Sequence, residues 1–516
     1  MHSIAGGLEK EFTTEMDEAR SKRGSSFFHL RASVVSFTPK FSMNIKSKIS
    51  RKQAEICLAL VQEIDQAVVK NHQPADQVLA RFYRQHREYG ARDRRFLSDA
   101  VFSWFRWRGW LKNPEKENIA AAILLDTDEI PPQLEYFGLN LPKVDLKPAG
   151  RLTLEEKAEY LCHELNFLFL KILKFPSIEL VPDWLSERLY FPPGIDPEQH
   201  FNQCIKSFQN RPPTWLRLPC FQYEKELHLL GQAGIELENH SFIKQAAFIK
   251  NRKNFDSGKF PEIEIQDLAS QCVGICCNPK PGEKWWDVCA GSGGKSLHLA
   301  DLMRDNGFIL ATDVRPAILK QLSERLKKKR CRSIKISTWN GKSDPASDKN
   351  FDGVLVDAPC SGLGTWARNP DARWRISSRQ IGEYSEIQKN LLQIAATKVR
   401  PGGQLVYSTC TLTRTENIEV ITAFLEQHPE FHLEKLINPL NREAPCGNLL
   451  RRSSSGYGGQ DFAEPSEAKR VIPPHPNSVS GQDFPAKEGE PAEGIIWIWP
   501  WAGNCNGMFI AVMKKA

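Results

Sequence analysis

A chain of 516 residues, 41% hydrophobic and 25% charged, is long enough for two to four domains and a large core. No apolar run approaches 18 residues, which excludes a membrane-spanning helix. The net charge of +7 is modest for this size, so where the charge sits matters more than its total. Thirteen cysteines form no paired framework, and Glu9, Glu11, Asp17 and Glu18 stand where a signal peptide would be apolar. Reduced thiols in a cytoplasm are the expectation.

Residues 1–47 lack sustained periodicity and read as a disordered tail. From Ser50 the pattern turns helical, with Ile56, Leu60, Ile64 and Val68 recurring every fourth residue. Pro74 opens the next helix, whose apolar face carries Val78, Leu79 and Phe82. An arginine-rich stretch follows: Arg81, Arg84, Arg87, Arg92, Arg94, Arg95, Arg106 and Arg108, interleaved with Phe82, Tyr83, Phe96, Trp104, Phe105, Trp107 and Trp110. It reads either as a solvated helix face over an aromatic core or as an RNA-binding face. Pro131 to Pro148 is loop-like. Thr153-x-x-Glu156 then matches a capping box ahead of Leu161, Leu165, Leu168 and Phe169, and Pro182-Asp183-Trp184-Leu185 begins a further helix. Residues 48–196 thus form an all-α region.

Arg211 to Leu218 reads as extended and Ile243 to Ile249 as strand, so 197–272 should be a small mixed α/β module. A helix begins at Ile265 to Gln271. Cys272, Cys276, Cys277 and Cys289 cluster here, but their spacing fits no common zinc pattern and no histidine completes a set. Core cysteines, with no metal, are expected.

From Lys284 strands and helices alternate, which argues for a doubly wound parallel sheet across 273–516. Strands are predicted at Trp285–Val288, Phe308–Thr312, Ser333–Ser337, Phe351–Val356 and Gln404–Ser408, with a last one at Gly507–Met513. The basic run in Lys320 to Arg332 reads as a solvated helix end, and 451–494 as a low-complexity insert in a surface loop.

The first strand leads into Asp287-Val288-Cys289-Ala290-Gly291-Ser292-Gly293-Gly294-Lys295, whose glycines allow a tight turn and a close approach to a ligand. A phosphate-binding G-x-x-x-x-G-K-S/T loop fails, because its first glycine falls on Cys289. The dinucleotide G-x-G-x-x-G fails at Ser296. A loop cradling an adenosine and an amino-acid tail remains, with Asp313 and Asn340 at the ends of the next strands flanking ribose and adenine. Two further strands end in Asp357-Ala358-Pro359-Cys360 and in Thr409-Cys410, delivering two thiols to the mouth of one sheet.

DVCAGSGGK, Asp313, VDAPCSGLG and YSTCTL resemble the successive motifs of the RsmB/Sun (NOP/NSUN-type) family of RNA cytosine-5 methyltransferases. The likeness extends to Gln266-Asp267-x-x-Ser270-Gln271 and Asn506-Gly507-Met508-Phe509, covers about 197–516, and more loosely takes in the helical region, which is similar to that family's NusB-like RNA-binding domain. The resemblance implies a Rossmann-like class I methyltransferase domain. It implies S-adenosyl-L-methionine held by Cys289, Ala290, Gly291, Ser292, Gly293, Gly294, Lys295, Asp313, Asn340 and Asp357. Cys410 would be the nucleophile, Cys360 the thiol that helps release product, and Asp357 the group on the base edge. The partner would be RNA, ribosomal by resemblance, and a monomer is the expected state. The family usually has Pro at Ser292 and Asp at Asn340 and Asn506. A non-catalytic RNA-binding ribosome-assembly factor that keeps the cofactor fold is the alternative. An N-directed methyltransferase is disfavoured, since Asp357-Ala358-Pro359-Cys360 is not an Asp/Asn-Pro-Pro-aromatic turn.

Overall fold

The computed structural model describes residues 45–127, 130–137, 153–164, 176–250, 255–341, 350–441 and 494–516. The chain divides into two units, Met1–Lys48 and Ile49–Ala516; apart from the start of the first helix, the described residues belong to the second. The expected tail at 1–47, except for its last three residues, and the expected insert at 451–494, except for Gly494, lie outside the described residues.

The first helices are α1 (Ile45–Asn71), α2 (Ala75–Gln85), α3 (Ala91–Leu111), α4 (Lys116–Leu125) and α5 (Leu154–Glu164). Leu60, Ile64 and Val68 of α1 are fully buried, as their four-residue spacing predicts. Thr153 and Glu156 make the predicted reciprocal cap, Glu156 N donating to Thr153 Oγ1 at 3.2 Å and Thr153 N to Glu156 Oε2 at 2.8 Å. Pro132–Phe137, read from sequence as loop, is a 3-10 helix that buries Leu134 and Phe137. Helices α6 (Leu185–Arg188) and α7 (Pro197–Phe208) follow; α6 is a single turn.

The arginine-rich stretch divides in two. Trp104, Phe105, Trp107 and Trp110 are buried, and Arg106 is buried with them, paired with Asp126 at 2.8 Å and donating to Ala367 O at 2.9 Å. Arg108 pairs with Asp65 at 2.6 Å. These residues are structural. Arg84, Arg87 and Arg92 are exposed, so any contact with a polyanion falls to the first half of the stretch.

Strands β1 (Trp215–Arg217), β2 (Leu237–Asn239), β3 (Ala246–Ile249) and β4 (Glu264–Ile265), with helix α8 (Tyr223–Gln232), form a small antiparallel sheet in the order β2-β3-β1-β4. Helix α9 (Leu268–Cys277) is capped by Asp267, whose carboxylate accepts from Ala269 N. Cys272, Cys276 and Cys277 all lie inside it, and burial pushes Cys276 up to about 12. Among the described residues no group of three His, Cys, Asp or Glu could hold a metal.

The large sheet is built from β5 (Lys284–Asp287), β6 (Phe308–Asp313), β7 (Ile334–Thr338), β8 (Phe351–Asp357), β9 (Val399–Thr409), β10 (Phe431–Leu433), β11 (Ile495–Ile498) and β12 (Met508–Lys515). Between them run α10 (Gly294–Leu302), α11 (Pro316–Lys329), α12 (Ser378–Ala396) and α13 (Ile418–Gln427). The order is β10-β12-β9-β8-β5-β6-β7, parallel from β7 to β9, with β12 antiparallel to β9 and to β10 and β11 on its other edge. Both faces are covered, so the strands read as continuous apolar runs. Trp286, Val354 and Val356 enter the core shared with the helical region, while Trp285 and Leu355 enter the core on the other face. The chain reverses its direction of winding between β5 and β8. That switch point is where an open α/β sheet leaves a crevice at its carboxyl ends.

Candidate active site

Loop 288–293 crosses this crevice. Gly293 has φ +86° and packs so closely that an added Cβ would fall 2.1 Å from Leu322 Cδ1; Gly291, at φ +55°, also needs the left-handed region. Ala290 N donates to Thr312 O and Gly291 N to the Asp313 carboxylate at 3.0 Å, so β6 holds the loop. Asp287, at the end of β5, is fully buried, and burial pushes it up to about 7 although Ser296 Oγ donates to it at 2.5 Å.

From the other side Arg325 donates to Ser292 O at 2.5 Å and to Ser292 Oγ at 3.3 Å, and pairs with Glu264 of β4. Lys329 also pairs with Glu264, at 3.1 Å. Two cations of the run read as a solvated helix end are therefore tied to the loop and to the small sheet. Serine at 292 adds a second contact for the guanidinium.

Asp313 accepts from Arg315 Nε at 2.9 Å and Nη2 at 2.9 Å. Burial works against its charge, but the hydrogen bonds from Arg315 and Gly291 hold the carboxyl below its ordinary value. The Arg315 side chain is 61% exposed. Asn340 is exposed just past β7, and Trp339 N donates to Asp313 O, which sets Asn340 beside Asp313.

At the carboxyl ends of β8 and β9 the two thiols meet, Cys360 Sγ lying 3.4 Å from Cys410 Sγ. The hydrogen bond to Cys410, then burial, raise the Cys360 thiol well above its ordinary value. Asp357 accepts from Ser408 Oγ at 2.8 Å and from Lys295 Nζ at 2.7 Å. Burial opposes the Lys295 charge, yet Asp357 and then Cys410 outweigh it and hold the ammonium above its usual value. Asn506 N donates to both Asp267 oxygens at 3.1 and 3.2 Å, Gly507 N to Gly364 O, and Gly364 N to Cys410 O. Backbones approach so closely here that a Cβ on Gly364 would lie 2.1 Å from Gly507 O. The turn at Asn506 thus supports the Cys410 backbone.

Lys295 was expected in the cofactor loop; its partner is Asp357, 62 residues on, and only the sheet order brings them together. Arg325 and Glu416 carried no such expectation. Glu416 follows a Thr413-x-x-Glu416 spacing that resembles an ordinary helix cap.

Strand order, the antiparallel β12 and a crevice between loop 288–293 and the ends of β8 and β9 define a class I methyltransferase domain. Residues 274–514 match the family model described as 16S rRNA methyltransferase RsmB/F. The chain is 31% identical over 265 residues to the ribosomal RNA small subunit methyltransferase B of Yersinia pseudotuberculosis serotype O:1b (strain IP 31758), covering 49% of this chain and 59% of that one. Against the protein of the same name from Serratia proteamaculans (strain 568) it is 30% identical over 290 residues, 54% of this chain and 65% of that one. The chain thus spans less than two thirds of the curated relatives it matches. The crystal structure of PH0851 shares the fold at 23% identity and a TM-score of 0.60, over 89% of this chain and 99% of that chain.

The cofactor of this family is S-adenosyl-L-methionine, and the loop fits it. A Cβ at Gly291 would meet only Arg315 Nη2, at 3.9 Å, and one at Gly294 nothing within 4 Å, so the ligand side of the turn is open. Arg325→Ala releases Ser292 and is expected to weaken binding of S-adenosylhomocysteine about tenfold, the worth of one charge-assisted hydrogen bond. Calorimetric titration of the variant against the parent measures it.

Proposed function

We propose that the protein transfers the methyl group of S-adenosyl-L-methionine to carbon 5 of a cytosine in RNA, the RNA of the small ribosomal subunit, through a covalent bond between Cys410 and carbon 6. The observation that carries the reading is the pair of thiols 3.4 Å apart at the ends of adjacent strands, beside a cofactor loop.

Carbon 5 of cytosine is a weak nucleophile. Addition of the Cys410 thiolate to carbon 6 makes the ring enamine-like, with carbon 5 able to take a methyl group. The cofactor, when bound in the loop, supplies that group. Cys360, whose raised thiol retains its proton, donates to the Cys410 sulfur. After the carbon 5 proton is lost to solvent, that hydrogen bond stabilises the departing thiolate as the carbon 6–sulfur bond breaks. Lys295 supplies positive charge to Cys410 and orients Asp357, which faces the base edge. Cys289, Ala290, Gly291, Ser292, Gly293 and Gly294 hold the cofactor tail, and Asp313 and Asn340 its ribose and adenine. The target base enters unstacked. The exposed arginines of α2 and α3 and the helices carrying them serve as the RNA-binding region, and the protein works in the cytoplasm as a monomer.

Lys295→Met removes the cation next to the thiol pair and leaves Asp357 without its partner. The expected loss in kcat is about 100-fold, the scale for removing one preorganised electrostatic group. Initial rates of methyl incorporation into small-subunit RNA, with cofactor saturating, measure it. An unchanged rate would remove Lys295 from the site.

A further inference from the structure

Behind the two thiols lies a carboxylate that the reaction above does not use. Glu416 is 0% exposed and sits between the turns that carry Cys360 and Cys410. Ser361, the residue after Cys360, donates to it twice, from its backbone N at 2.8 Å and from Oγ at 2.5 Å. Thr411, the residue after Cys410, donates at 3.3 Å, and Thr413 at 2.8 Å. The Ser361 and Thr411 hydroxyls also meet directly at 2.7 Å. Gln388 of α12 donates to the same carboxylate at 3.3 Å and to Pro359 O at 2.9 Å. Tyr407 Oη donates to Glu416 O at 2.6 Å, which fixes the backbone as well as the side chain.

A buried carboxylate costs several kcal/mol unless its lone pairs are filled. Here five donors fill them, and three of the five come from the residues that follow Cys360 and Cys410. Nothing about the sheet requires this. β8 and β9 are already joined by their own ladder, which ends at Asp357 and Ser408. Beyond it Ala358 N donates to Ser408 O and Gly364 N to Cys410 O, and Glu416 adds a side-chain clasp between the residues that follow the two thiols.

We propose that Glu416 is a positioning residue that clasps the Cys360 and Cys410 turns and sets the spacing and charge balance of the two thiols. The proposal rests on the two-thiol reading for its effect on turnover, and on the hydrogen bonds from Ser361 and Thr411 for its hold on the thiol turns. Burial raises the Glu416 carboxyl above its ordinary value, opposed by the hydrogen bonds from Ser361, Thr413 and Gln388; once ionised, it adds to the hydrogen bond from Cys410 and to burial in keeping the Cys360 thiol protonated.

The test uses Glu416→Gln in the full chain, with Glu416→Ala as a second variant. Glutamine has the same shape, and the three hydroxyls can turn to accept from its amide, so folding and cofactor binding should be kept; a thermal melt and a titration with S-adenosylhomocysteine establish that. Two readouts follow. The pH profile of iodoacetamide alkylation, resolved by mass spectrometry at each cysteine, should move to lower pH at Cys360 when the charge is removed. Turnover should fall about 100-fold at unchanged cofactor KM, the scale for misplaced reacting groups. An alkylation profile identical to the parent's overturns the proposal, whether or not turnover falls. If the parent itself transfers no methyl group, the two-thiol reaction fails, and the alkylation shift alone decides for or against Glu416.

Discussion

Cys410→Ala is expected to lose methyl transfer by at least about four orders of magnitude, the scale for removing a nucleophile that forms a covalent intermediate. It should form no protein–RNA bond. Cys360→Ala should lose turnover as severely by the opposite route: addition and methylation proceed, release stalls, and a covalent adduct accumulates that survives denaturing electrophoresis. The asymmetry follows from the pair's environment. The hydrogen bond to Cys410, then burial, and further the Glu416 charge keep the proton on Cys360, which suits it to release rather than attack. If the adduct appears in Cys410→Ala instead, the two roles are exchanged. If neither variant traps RNA and both retain methylation, the thiols take no part.

Arg373→Met should destabilise the protein by about 3 kcal/mol, read from urea unfolding as a lower midpoint. Arg373 is fully buried where the helical region meets the sheet domain. Its Nη1 donates to Leu180 O at 2.9 Å, and its Nη2 to Phe208 O at 3.1 Å and Trp366 O at 3.3 Å. Burial, then the neighbouring Arg106, pulls the guanidinium down to about 9, so at neutral pH it stays charged. Methionine fills much of the volume but leaves the buried Leu180 and Trp366 carbonyls without the donors Arg373 supplies, and that loss exceeds the relief of an unburied charge. Arg106 donates to Phe208 O from the other side at 3.3 Å, so part of the contact survives and the loss stays finite. An unchanged midpoint would mean that this junction contributes nothing to stability.

The junction reaches the thiols. Leu189 pairs with Thr413, Tyr190 N donates to Leu412 O, and Arg414 N to Arg188 O, so the segment after α6 braces the turn that follows Cys410. Arg373→Met therefore lowers turnover as well as stability.

The sheet was legible because strands buried on both faces read as continuous apolar runs, and Phe351 to Val356 and Phe308 to Thr312 fall within one residue of β8 and β6 at either end. β9 begins at Val399, five residues before the predicted Gln404, since Pro401-Gly402-Gly403 hides the early pairing behind an irregular register. The all-α region was legible from four-residue spacing. The fate of its arginines was not: the same guanidinium is a surface charge at Arg92 and an internal strut at Arg106, and only the packing of α3 distinguishes them. At the site, loop 288–293 and the two thiols announce themselves by glycine spacing and by position after strands. Glu416, Arg325 and the Lys295–Asp357 pair do not, because each acts through a partner dozens of residues away or through a hydroxyl that any surface turn could carry.

The most direct measurement is nucleoside mass spectrometry of small-subunit ribosomal RNA incubated with the purified protein and S-adenosyl-L-methionine carrying a deuterated methyl group. The account predicts label in 5-methylcytidine, abolished by Cys410→Ala. Label in another nucleoside, or none above background with cofactor bound, would contradict it.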